Sequence, residues 1–111
     1  MEVHRILGPG LLEIVYKDAL EYEFQKKGIP YEREKKYEVA YKAIILPHYY
    51  FADFVVFGDV ILEIKAVGGI VDEFIKQTLN YMSIAQSPLG IIANFGTLSL
   101  QHKRLLNKAI A

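Results

Sequence analysis

The sequence predicts an α/β fold: a mixed central sheet, part antiparallel meander and part parallel crossover, with helices packed on it. Three observations carry this. Residues 31–67 hold three strand-like runs in succession, with short connections between them. Residues 70–85 repeat apolar residues at helical spacing. Residues 89–95 form a short, nearly all-apolar run, as suits a strand covered on both faces. A strand, a helix and such a strand make a crossover unit, whose two strands are expected parallel and whose hand is expected right.

Composition limits the rest. The chain has 111 residues, enough for one domain spanning 1–111. Apolar residues make up 52%, so a real core is available. Formal net charge is zero, so a nucleic acid would have to be gripped by a local basic patch or through a metal. Cysteine is absent, which excludes disulfides and thiolate metal sites and fits a reducing cytoplasm. No signal-peptide pattern and no membrane-length apolar run is visible, so the expected location is cytoplasmic, with no membrane partner.

The elements follow in order. Residues 1–7 are short and mixed and read as the end or a fragment of a helix, broken by Gly8-Pro9-Gly10. A helix should run over 11–27, stopped by Gly28, with Lys26 and Lys27 where cations suit the dipole. One apolar line on it passes through Leu12, Tyr16 and Ala19, another through Leu11, Val15 and Tyr22. Glu13 interrupts a third line, Tyr16, Leu20 and Phe24; a first-turn carboxylate favoured by the helix terminus explains it as well as a site role does. Residues 31–42 alternate as a half-exposed strand, with Tyr37, Val39 and Tyr41 on one face. Pro47 is expected in the connection that follows, before strands over 49–57 and 60–67. The helix over 70–85 is expected to bury Val71, Phe74, Ile75, Thr78, Leu79, Met82 and Ala85. After Asn94-Phe95-Gly96, residues 98–106 suit an edge strand or a short helix, with a strand through 103–106 favoured, and 108–111 a frayed end. The predicted order is αβββαββ.

The residues that carry chemistry lie at 52–65, two apolar runs split by Gly58-Asp59, with Asp53, Glu63 and Lys65 set among Phe, Val, Ile and Leu. Charges in such company need partners. Glu63 and Lys65 are two apart on a strand and so share a face. A carboxylate suits a hard cation such as Mg2+ or Mn2+, and a neighbouring lysine can orient water or balance charge on a phosphoryl transition state. Asp53 is the second carboxylate only if register allows. A plain two-residue hairpin loop would set Asp53 against Ile64, on the wrong face; a three-residue connection or a bulge near Gly58 sets it against Glu63. A partly buried ion pair without catalytic use is the competing explanation.

The larger pattern is more specific. Ala52-Asp53 followed by Glu63-Ile64-Lys65 resembles the signature of the PD-(D/E)xK nuclease superfamily, with Ala in place of Pro. Gln77-Thr-Leu-Asn-Tyr81 resembles the Q-x-x-x-Y element of some of its branches. Gly10-Leu-Leu-Glu13-Ile-Val-Tyr16, with Val3-His4-Arg5, Leu7-Gly8-Pro9-Gly10 and Asn94-Phe95-Gly96, resembles the GxxExxY family, a small branch of that superfamily. The resemblance implies a restriction-endonuclease-like core and a Mg2+- or Mn2+-dependent endonuclease or exonuclease acting on DNA, ahead of RNA. It implies Asp53 and Glu63 as metal ligands with the Ile64 carbonyl as a third, Lys65 as the catalytic lysine, Glu13 as an added acid, and Gln77 and Tyr81 as supports. Tyr16 is expected as a core aromatic that fixes Glu13. The family carries more helix before Val3, so an N-terminal part is expected to be missing. A homodimer or larger assembly is a further expectation.

Two other functions compete. One is a nuclease fold retained for binding nucleic acid or a protein, with weak hydrolysis or none; basic pairs dispersed away from Asp53 would favour it. The other is an oligomeric housekeeping protein with structural ion pairs. His4, His48 and His102 are expected as surface or capping residues, and no P-loop or Ser-His-Asp pattern is present.

Overall fold

In the computed structural model, residues 1–108 are described. Two helices, α1 (Glu2–Leu7) and α2 (Glu13–Lys27), precede strands β1 (Tyr31–Tyr41), β2 (Ile44–Val56) and β3 (Val60–Lys65). Helix α3 (Asp72–Ala85) and strands β4 (Leu89–Asn94) and β5 (Gln101–Leu106) complete the order. The five strands lie in one sheet in sequence order. All neighbours pair antiparallel except β3 and β4, the parallel pair joined through α3. The fold is a mixed α/β sheet consistent with a restriction-endonuclease-like core. No helix among the described residues is long and apolar enough to cross a membrane.

The strands of the centre bury side chains on both faces. Val60, Leu62 and Ile64 of β3 pack with Tyr16 and Leu20 of α2, while Ile61 packs with Met82 of α3. That alternation is the period of a strand between two helical layers. The helices bury less than their sequence suggested. On α2, Leu11 before it and Tyr22 on it are 40% and 61% exposed, so the second apolar line is not core. On α3, Val71 before it and Leu79 on it are 49% and 38% exposed, and Thr78 and Met82 carry the contact. There α3 lies so close that a Cβ at Gly90 of β4 would strike Met82 and Thr78.

Two strand starts differ from expectation. β2 starts at Ile44, because Lys42-Ala43 is a two-residue turn pairing Tyr41 with Ile44. Pro47 therefore lies within β2, between the pairs Ala40↔Ile45 and Glu38↔Tyr49, where the register shifts. At such a bulge no ladder N–H is required of it. β5 starts at Gln101, two residues before 103, because it pairs with the whole length of β4. Apart from Lys108, the end at 108–111 lies outside the described residues.

A latch holds the end of β3. Asn94, fully buried, accepts from Val67 N–H (3.0 Å) and Gly96 N–H (3.1 Å) through Oδ1. Its Nδ2 donates to Val67 O and Gln101 Oε1, both at 3.1 Å. A Cβ at Gly96 would run into the backbone of Val67 and Ala66. Gly96→Ala is expected to destabilise the protein by roughly 3 kcal/mol. Urea denaturation checks it; a loss below about 0.5 kcal/mol would mean that the close approach is not a constraint.

Candidate active site

The site lies where β2 and β3 part. Their connection is three residues, Phe57-Gly58-Asp59, with Phe57 at φ 54° and Gly58 at φ 82°. The left-handed pair lets the loop close with one residue more than a tight hairpin. The register then runs Val56↔Val60, Val55↔Ile61, Phe54↔Leu62. Its next step sets Asp53 against Glu63. There side chains replace the ladder: Asp53 Oδ2 accepts from Ile64 N–H at 2.8 Å, and Glu63 Oε2 accepts from Asp53 N–H at 3.4 Å.

Asp53 also marks an exchange of faces. Alternation would keep Tyr50, Ala52, Phe54 and Val56 on one side. Instead Phe54 and Val56 pack with α2, and Tyr50 and Ala52 with α3. On β1, the residue between the pairs Arg33↔Phe54 and Lys35↔Ala52 is Glu34, at φ 52°. This left-handed backbone at a non-glycine residue is strained. The twist there leaves Asp53 reachable from both helices.

A cleft of about 190 Å³ opens at the fork, lined by Glu13, Phe51, Asp53, Glu63, Lys65, Gln77, Thr78 and Tyr81. The structure thus brings Glu13, Asp53, Glu63, Lys65, Gln77 and Tyr81 together from two strands of the sheet, β2 and β3, and from the two long helices. Ile64 is absent from the lining: its side chain is fully buried against α2, and its N–H holds Asp53. Lys65 reaches along α3, with Nζ 4.5 Å from the Phe74 ring centroid.

Supports run outward from Glu63. It is 7% exposed, and Tyr50 donates its hydroxyl to Oε1 at 2.7 Å. Tyr50 stacks on Tyr81 with centroids 3.5 Å apart, and Gln77 Nε2 donates to the Tyr81 hydroxyl at 2.7 Å. Gln77 and Tyr81 therefore reach Glu63 through Tyr50. Glu13 is placed by the turn before α2. Tyr16, with no exposure, donates to Gly8 O at 2.6 Å, accepts from Leu11 N–H at 3.1 Å and stacks on Phe95. His4 is not a surface residue: it is 9% exposed and bonds Thr97 O through Nε2 at 2.8 Å, tying α1 to the loop after β4.

Two residues escaped the sequence reading. Lys17 is 8% exposed, and its Nζ lies 2.6 Å from Glu34 Oε1 and 3.0 Å from Asp53 Oδ1. It is four residues after Glu13, hence on the same side of α2, and that spacing was the available signal. Tyr50 gave no signal, since its role depends on α3 packing.

The electrostatics follow from three carboxylates in one cleft. Burial, then the charge of Asp53, pushes Glu63 up to about 8. Burial and Asp53 likewise raise Glu13, against Lys65 and Lys17. For Lys17 burial acts downward, but its bonds to Glu34 and Asp53 prevail and hold it above the usual lysine value. Burial and Glu63 raise Tyr50 and Tyr81, which stay protonated donors. The donors are all oxygen, as a hard divalent cation prefers, and their mutual repulsion is what such a cation relieves. Among the described residues no three His, Cys, Asp or Glu side chains are close enough to form a ready-made ion site. Both Asp53 oxygens are already engaged, one by Lys17 and one by Ile64 N–H.

The sequence pattern of the PD-(D/E)XK nuclease superfamily matches residues 1–105. The chain belongs to the PD-(D/E)XK nuclease superfamily. Nucleases of this superfamily generally use divalent metals, and the donor set of the cleft agrees with that chemistry. The protein in "Crystal structure of SSO0001" is similar, with a TM-score of 0.66 at 15% identity, over 83% of this chain and 48% of that one. At that identity the likeness speaks to the fold alone. The chain spans about half the length (48%) of that protein. No curated protein matches it.

Proposed function

We propose that the chain is a Mg2+- or Mn2+-dependent nuclease domain hydrolysing phosphodiester bonds in DNA, of the GxxExxY branch of its superfamily. The observation that carries this is the face-to-face placement of Asp53 and Glu63 at the β2–β3 fork, with Lys65 and Glu13 in the same cleft. Asp53 and Glu63 would hold the metal, with Glu13 and the Ile64 carbonyl completing its ligands. When bound, such an ion polarises the phosphate and makes its water more acidic. The chain's own residues do the remainder. Lys65 presents an ammonium to the attacking water and to the charge gathering on the phosphate oxygens. Tyr50 holds Glu63 in one orientation, and Tyr81 holds Tyr50. The water oxygen bonds to phosphorus, the bond to the leaving sugar oxygen breaks, and that oxygen takes a proton, leaving a phosphomonoester and an alcohol.

One observation favours a second reading, a nuclease-fold module that binds nucleic acid or a protein with weak hydrolysis. Of the basic pairs, only Lys35-Lys36 lies beside the site, since Lys35 pairs with Ala52. Lys26-Lys27 ends α2, roughly 20 Å from Glu13. Lys103-Arg104 lies on β5, at the far edge of the sheet. Incubation with single-stranded, duplex and branched DNA plus Mg2+ or Mn2+ separates the readings. Wild type is expected to cut, and Glu63→Ala to cut at least about 100-fold more slowly. Metal-independent binding without cutting in any substrate would favour the module.

A further inference from the structure

Beyond the fork, β1 and β2 continue without β3 as a two-stranded arm that reaches roughly 25 Å past Ala52. The two faces of this arm differ. Tyr37 and Tyr50 turn towards α3 and stack with centroids 5.7 Å apart. On the other face the pairs Lys36↔Phe51 and Glu38↔Tyr49 set two rings and a lysine side by side. Those rings are 49% (Tyr49) and 50% (Phe51) exposed, and Lys36 Nζ stands 3.7 Å from the Tyr49 ring centroid. Phe51 also lines the cleft, two residues from Asp53. From 36 to 51 the arm carries Lys36 and Lys42 against the single carboxylate of Glu38, while Lys35 beside it is ion-paired with Glu32 at 3.0 Å.

We propose that this face, Lys36, Tyr49 and Phe51, is a stacking platform that takes unpaired bases, so that the site selects single-stranded nucleic acid or the single-stranded parts of a branched one over duplex. The proposal deepens the nuclease reading and rests on it for the choice of polyanion. A neutral chain with dispersed lysines has little purchase on phosphates alone, which supply most non-specific duplex affinity. Rings on a strand offer what the charge lacks, because every base has a face to stack and stacking tolerates any sequence. A duplex hides those faces. A base on Phe51 leaves its phosphate beside Asp53 and Glu63, whereas a second copy of the chain would have to cover Lys36 and Glu38 along with the rings.

The test is fluorescence anisotropy in EDTA, with a labelled oligo-dT of about 12 nucleotides and a duplex of the same length. The variants are Tyr49→Ser, Phe51→Ser and Lys36→Gln, each checked for folding by circular dichroism. Wild type is expected to prefer the single strand. Each ring substitution should weaken that binding by about 5- to 100-fold and leave duplex binding within about twofold. Lys36→Gln should lower the salt dependence of single-strand binding by roughly 0.7 in log-log slope. Equal affinity for duplex, or ring variants that bind like wild type, overturns the platform. So does sedimentation showing that the ring substitutions dissociate a dimer. Manganese-dependent cleavage is scored separately: cutting without ring-dependent binding removes the platform alone, and ring-dependent binding without cutting removes the hydrolysis alone.

Discussion

The metal-free protein is expected to lose stability as pH rises from about 5 to about 8, and Glu63→Gln is expected to remove most of that slope. Glu63 has its folded value raised, from 4.5 to about 8, by burial and by Asp53. A raised carboxylate binds its proton more tightly in the folded state than in the unfolded one. Its contribution is therefore fully present below 4.5 and is lost as pH rises through about 8. At about 1.4 kcal/mol per pKa unit the upper bound is roughly 5 kcal/mol. Glu13 is raised too and adds to the slope with the same sign. Lys17, also raised, contributes stability that is present below the ordinary lysine value and lost only at more alkaline pH, so it leaves this window alone. Glutamine at 63 keeps an oxygen for the Tyr50 hydroxyl and has nothing to ionise. Urea denaturation in EDTA across the window checks this, and Mn2+ should flatten the wild-type curve. A slope unchanged by Glu63→Gln would remove Glu63 as its source.

Lys17→Met is expected to cost about 3 kcal/mol of stability, the lower end of what breaking one partner of a buried ion pair costs. Lys17 and Asp53 side chains are 10% and 15% exposed, while Glu34 is 48% exposed and can turn to water. Without the ammonium, Asp53 keeps the Ile64 N–H but faces Glu63 and Glu13 with its ion pair gone. A divalent cation can replace the lost charge. Mn2+ should therefore raise the melting temperature of Lys17→Met more than that of wild type. An equal rise in both would mean that Lys17 and the ion do not share Asp53.

How much of this was legible depends on what each residue answers to. β3 and β4 were visible because strands buried on both faces leave apolar runs, as at residues 60–62 and 89–93. The three-residue loop at Gly58 followed from a constraint, because a tighter turn would have parted Asp53 from Glu63. The length of β2 was hidden by Pro47, whose bulge has no separate sequence mark. Lys17 and Glu34 were hidden for another reason. A lysine on a helix and a glutamate in an alternating strand look like solvated charges until the strand exchanges faces at Asp53, and that exchange is a property of the paired strands. The extent of burial on α2 was overread, since Leu11 and Tyr22 meet no covering element among the described residues.

The fold by itself fits both cutting and mere binding; the roles within the cleft separate them. Lys65 is expected to act on the phosphate rather than to hold the ion, so its loss should separate metal binding from hydrolysis. The decisive measurement is Mn2+-dependent cleavage of labelled single-stranded DNA by wild type and Lys65→Ala, with Mn2+ affinity of both proteins by calorimetry. Wild type should cut, and Lys65→Ala should bind Mn2+ within a few-fold of wild type while cutting at least about 100-fold more slowly. Cutting that persists unchanged in Lys65→Ala, or a wild type that neither binds Mn2+ nor cuts, would contradict a metal-dependent phosphodiester site at Asp53, Glu63 and Lys65.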